Sequence, residues 1–95
     1  MKPEDFSLIS AVNDDAILQA CLARSPDVAT GRLPLTTIRN ANNMAQAYNQ
    51  GLDQTSGRYA IFAHQDVYLP AGWLDNAIAA LTRLEPDHPD RKSVV

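Results

Sequence analysis

Residues 57–74 read Gly57-Arg58-Tyr59-Ala60-Ile61-Phe62-Ala63-His64-Gln65-Asp66-Val67-Tyr68-Leu69-Pro70-Ala71-Gly72-Trp73-Leu74. A glycine turn leads into the apolar run Tyr59 to Ala63, too short for a helix and rich in aromatic and β-branched side chains, hence a strand buried on both faces. His64-Gln65-Asp66 stands at its carboxyl end. Gly72 then breaks the chain before a run whose apolar positions, Trp73, Leu74, Ala77, Ile78, Leu81 and Leu84, share one helical face. Strand, polar end, loop and helix in this order form the repeating unit of an α/β sheet.

The same unit recurs twice upstream. Phe6 to Val12 is apolar and stops at Asn13-Asp14-Asp15, where Asn13 or Asp14 can cap a helix. That helix is expected over about Asp15 to Arg24, with Ile17, Leu18, Cys21 and Leu22 inward and Ser25-Pro26-Asp27 as its exit. Val28 to Pro34 reads as loop. Leu35-Thr36-Thr37-Ile38 is strand-like, followed by the polar turn Arg39 to Asn43 and a helix over Met44 to Asp53 with Met44, Ala47, Tyr48 and Leu52 inward. The predicted fold class is α/β, a three-layer βαβαβα unit with a parallel sheet, incomplete at its C-terminus. Residues 1–84 form its one domain, and residues 85–95 are expected as a charged, proline-containing tail. Ser93-Val94-Val95 would suit the start of a further strand.

The chain has 95 residues and a net charge of −3, with one cysteine. The length allows a single small domain. Eight scattered basic residues make no stripe for nucleic acid or an anionic membrane. A lone Cys21 excludes an internal disulfide framework and suits a small buried apolar residue in a cytoplasmic protein. No run reaches the roughly 20 apolar residues of a membrane span. The N-terminus lacks a secretory pattern, and neither a dinucleotide fingerprint nor a P-loop occurs.

Chemistry is expected where the three polar clusters meet. Open parallel sheets bind ligands beyond the carboxyl ends of their strands, at the point where strand order reverses. There, His64 and Asp66 offer an imidazole and a carboxylate to a divalent cation that would neutralise a phosphate group. A turn cap at Asp66 and a backbone bond from His64 would account for them equally well. Asn13-Asp14-Asp15 could accept hydrogen bonds from a base edge or ribose, or simply cap a helix. Asn40, Asn42 and Asn43 suit phosphate or base, or an ordinary asparagine-rich turn. Asn49, inside the second helix, reads as an inward hydrogen-bonding residue or an exposed one. Trp73 suits the core or a lid over the rim, and His88 a solvated position.

Three stretches in order, Ser7 to Asp15 (SLISAVNDD), Ala47-Tyr48-Asn49-Gln50-Gly51-Leu52 and Gly57-Arg58-Tyr59 running into His64-Gln65-Asp66-Val67, resemble the family 2 glycosyltransferases. The nearest pattern is the branch carrying AYN-x-G and HQD or HED signatures, and the resemblance spans roughly residues 6–84. It implies a GT-A-type nucleotide-binding sandwich, with a nucleotide-diphospho-sugar of the UDP or GDP type as donor, Mg²⁺ or Mn²⁺ as cofactor, and a sugar or lipid hydroxyl as acceptor. It implies that Asn13, Asp15, Asn40 and Asn49 line the nucleotide pocket. Asp66 then matches the second acid of the family's Asp-x-Asp metal motif, with His64 replacing the first. Family members carry their acceptor half and catalytic base after this motif, so the chain reads as a donor-binding half with no assignable base.

Two other readings use the same residues. Asp14, Asp15 and Asp66, with the loop Asp66-Val67-Tyr68-Leu69-Pro70-Ala71-Gly72, also resemble a phosphoacceptor receiver module. An inactive remnant that pairs with itself or another chain through an open sheet edge is the third.

Overall fold

The computed structural model describes residues 2–55, 58–84 and 92–94. A short 3₁₀ turn at Pro3–Asp5 leads into β1 (Phe6–Ala11). After it come α1 (Asp15–Ala20), a 3₁₀ turn at Leu22–Arg24, and α2 (Pro26–Ala29). Then follow β2 (Leu35–Ile38), α3 (Met44–Gln54), β3 (Tyr59–Phe62), α4 (Trp73–Leu84) and β4 (Lys92–Val94). All strand pairs are parallel, in the order β2-β1-β3-β4. The fold is α/β, as expected from the strand–helix alternation. β4 lies inside the stretch expected as a tail, where Ser93 and Val94 form the further strand their sequence suited, and it pairs Ala60 with Ser93. The expectations for residues 85–91, His88 included, lie outside the described residues.

Alternate residues of each strand feed the two faces, because successive side chains point to opposite sides. Phe6, Leu8, Tyr59 and Ile61 pack with Leu18, Leu22 and Leu74 in one buried cluster, so α1, α2 and α4 cover that face. Ile9, Ile38, Ala60 and Phe62 pack with Ala47 of α3 on the other. Tyr59 also stacks on Phe6, with ring centroids 5.1 Å apart.

The expected single helix over Asp15 to Arg24 is broken. Cys21 departs from helical geometry at φ −121°, ψ −88°, and the chain continues as a 3₁₀ turn. Cys21 is half-buried rather than enclosed. The helical stretch does exit at Ser25, as expected, but Pro26 at once begins a new helix, at a position where its missing N–H is not needed. The expected loop from Val28 therefore starts with the last residues of α2. Of the four side chains expected inward on the first helix, Leu18 and Leu22 are buried, whereas Ile17 is exposed. Met44 of α3 is exposed as well, and Trp73 packs beside the first cluster.

A polar latch fastens the segment after β3 to the α2 region. The Ser25 hydroxyl, fully buried, accepts from the Leu69 backbone N–H at 2.8 Å. Asp27, 4 % exposed, accepts from the Leu74 N–H in the first turn of α4 at 3.1 Å. Its other oxygen takes Arg32 at 3.0 Å, and Arg32 reaches on to Asp75 at 2.8 Å.

Candidate functional site

Strand order reverses between β1 and β3, since the chain goes from β1 outward to β2 and then returns past β1. The carboxyl ends of β1, β2 and β3 meet at this switch point around a cleft of about 750 Å³. Asn13 lines it from the β1 end, Arg39, Asn40 and Asn43 from the β2 end, and His64, Gln65 and Asp66 from the β3 end. The three polar clusters, far apart in sequence, thus share one cavity. Ile17 of α1 and Met44 of α3 also line it. They are two of the three large hydrophobic side chains exposed among the described residues.

Gln65 joins the β1 and β3 ends. Its Oε1 accepts from the backbone N–H groups of Asn13 (3.2 Å) and Asp14 (3.1 Å), and its Nε2 donates to Asn13 Oδ1. Asp14 caps α1, accepting from Ala16 and Ile17 N–H at 3.0 and 3.2 Å. Asp15 pairs with Arg39 at 2.7 Å. The acceptors expected to meet a base or ribose are therefore held by protein donors: the Asn13 carbonyl by Gln65, one Asp14 oxygen by the α1 amides, one Asp15 oxygen by Arg39. Asp15 is not among the residues lining the cleft and reaches it through Arg39.

Asn40, directly after β2, takes φ 65°, a left-handed conformation that asparagine tolerates better than most residues. Asn43 caps α3, accepting from Gln46 N–H at 2.8 Å, and the Gln46 side chain in return accepts from Asn42 N–H. The ordinary turn role expected for Asn42 and Asn43 thus describes these bonds, and Asn43 also lines the cleft. Asn49 is exposed on α3 and does not line the cleft. His64 and Asp66 are exposed in a turn closed by the Val67 N–H donating to the His64 carbonyl at 3.1 Å.

Sequence reasoning missed Arg39 and Gln65 as site residues. Arg39 follows β2 immediately, so the strand's end alone would have placed it on the rim. Its bond to Asp15 joins two exposed groups; such a pair contributes at most about 1 kcal/mol, so an anion in the cleft could take Arg39 over at little cost. The role of Gln65 had no signal in residue spacing, because its partners lie more than fifty positions away.

Among the described residues no three His, Cys, Asp or Glu side chains gather as a ready-made metal site. Asp14 accepts from the first amides of α1 and Asp15 pairs with Arg39, and neither lines the cleft with Asp66. His64 and Asp66 remain as two ligand-capable groups on one side of the cleft. That set fits a cation which keeps several waters and binds through one carboxylate plus ligand phosphates, as Mg²⁺ does. No described helix is long and apolar enough to cross a membrane.

Residues 7–82 match the family described as Glycosyltransferase like family. No curated protein and no solved structure matches the chain.

Proposed function

Because the chain belongs to this glycosyltransferase-like family, we infer that the cleft at the β1/β3 switch point binds the nucleotide-diphospho-sugar donor of a sugar transfer. The observation that carries this reading is the convergence of Asn13, Arg39, Asn40, His64 and Asp66 around one cavity. Its volume falls within the range of small-molecule sites, about 300–1,000 Å³, and its lining offers both an anion partner and cation ligands. Asp66, with His64 beside it, would hold Mg²⁺ or Mn²⁺ together with the diphosphate; the cation would supply charge neutralisation of the leaving group. Arg39 would release Asp15 to meet a phosphate. The acceptor would be a sugar or lipid hydroxyl arriving from the open side of the cleft.

Calorimetric titration with UDP and GDP, each with and without Mn²⁺, tests the reading. One of the two is expected to bind, more tightly with Mn²⁺. Asp66→Ala is expected to remove most of the Mn²⁺-dependent gain, a loss of about tenfold or more in affinity, or about 1.4 kcal/mol. Equal affinity of the variant and the unaltered chain would sink the metal role. The receiver reading makes the opposite forecast: a phospho-adduct at Asp66 on incubation with acetyl phosphate and Mg²⁺, visible by intact mass.

A further inference from the structure

We propose that Gln65 sets the hydrogen-bond polarity of Asn13, making it a donor toward the cleft, and that the site thereby selects a nucleotide base carrying a keto oxygen over one carrying an amino group. The proposal rests on the donor-site reading above. It follows from a chain of bonds in which each partner has one choice. Backbone N–H groups can only donate, so the Gln65 atom facing Asn13 N and Asp14 N is Oε1. The other end of that amide is then Nε2, which can only donate. The Asn13 atom meeting it is accordingly Oδ1. What remains of the Asn13 amide is Nδ2, with two N–H donors and no partner among the described residues. Two main-chain groups thus fix the orientation of a side chain two bonds away, and the usual ambiguity of asparagine amides does not arise.

The cleft also says where a base would lie. Ile17 and Met44 line its β1–β2 side, 39 % and 43 % exposed, and the ligand-capable His64 and Asp66 line its β3 side. A planar, weakly polar ring belongs against the apolar pair, and a diphosphate against the other end. Asn13, lining the same cavity, then meets the edge of the ring. Uracil and guanine offer that donor a keto oxygen where cytosine and adenine present an amino group.

Gln65→Glu tests the polarity without removing the clasp. The carboxylate still accepts from both backbone N–H groups, at the start of α1 where negative charge is favourable, so folding should be preserved. It can no longer donate to Asn13, so the Asn13 amide turns over and shows its carbonyl to the cleft. UDP against CDP, and GDP against ADP, are compared by calorimetry for both chains. The negative charge that this substitution adds weakens all four alike, so the affinity ratio within each pair is the readout. In the unaltered chain the keto member of at least one pair is expected to bind about tenfold tighter, and in Gln65→Glu that ratio falls to unity or reverses. Asn13→Asp, which replaces Nδ2 by an acceptor, is expected to do the same. Side-chain amide exchange of the free protein by NMR supplies a second measurement: slow exchange at Gln65 Nε2 and fast exchange at Asn13 Nδ2, with Asn13 becoming protected in Gln65→Glu. Nucleotide binding with equal ratios in both chains, or a protected Asn13 amide in the unaltered chain, would overturn the proposal while leaving the donor site standing. Failure of all four nucleotides to bind would remove the donor-site reading and the base preference with it, leaving only the exchange pattern of the amide clasp.

Discussion

Gly51→Val is expected to destabilise the domain by about 3 kcal/mol, at the upper end of what overpacking a filled interior costs. Gly51 lies on the buried side of α3, against β1. A Cβ placed there would stand 2.3 Å from Cγ2 of Ile9 and 2.9 Å from its Cδ1, closer than carbon atoms approach without one of them moving. Ile9 has no room to yield, since it is fully buried in the cluster beneath α3. Alanine gives the cleaner measurement. In a helix interior Gly→Ala gains about 1 kcal/mol from propensity, whereas here the clash is expected to exceed that gain. The sign of the change in urea midpoint therefore decides which effect wins. Pairing Gly51→Ala with Ile9→Ala removes all three of the nearest atoms, so the double variant should be more stable than the sum of the single changes predicts. Strict additivity would mean that helix and strand are not in such close approach. A domain of this length holds on the order of 5–14 kcal/mol, so the valine variant gives up a large fraction of its stability.

Gly51 also shows what kind of information the sequence carried. The motif Ala47-Tyr48-Asn49-Gln50-Gly51 was legible as a resemblance, and its glycine has a local physical reason, the approach to Ile9. Its asparagine, exposed on α3, has none in the described contacts. The strand positions and the start of α4 were readable because apolar runs and polar breaks agree there with the parallel topology. The gathering of Asn13, Asn40 and Asp66 was readable too, because that topology leaves the strand ends nowhere else to go. The break at Cys21 was not. Ile17, Leu18, Cys21 and Leu22 fit one continuous helical face, yet the chain leaves the helix at Cys21 and carries Ser25 and Asp27 to the segment after β3, bonds that no single-segment pattern encodes. The place of Arg39 on the rim was legible from the end of β2, but the bonds of Arg39 and Gln65 were hidden for a related reason. Their partners come from the turn after β1 and the start of α1, and pattern reading along one segment has no access to bonds between segments.

Asp27→Ala is expected to cost about 2–4 kcal/mol, within the range for losing charge-assisted hydrogen bonds from a buried group. The carboxylate serves three elements at once: it follows Pro26 in α2, takes the Leu74 N–H at the start of α4, and neutralises Arg32. Truncation leaves the Leu74 N–H buried without its acceptor. Asp27→Asn separates the contributions, because an amide oxygen can still accept from Leu74 while the charge opposite Arg32 is gone, so it should fall between alanine and the native residue. Asp75 provides the control. It contacts the same arginine from an exposed position, where water and salt screen the pair, and Asp75→Ala should hardly move the denaturation midpoint. The Arg32 guanidinium nonetheless holds the Asp75 carboxyl below its ordinary value, through the hydrogen bond first and the charge second. Any stability from that pair is present above the unfolded carboxylate's pKa and lost as pH falls through the lowered folded value. The effect of Asp27 should reach the cleft. Ser25 and Asp27 pin Leu69 and Leu74, and the turn bearing His64, Gln65 and Asp66 runs directly into that pinned segment. Loosening it should weaken Mn²⁺-dependent nucleotide binding in Asp27→Asn under conditions where the domain is still folded by circular dichroism. Unchanged binding would show that Gln65, bonded across to Asn13 and Asp14, holds the turn in place without the latch.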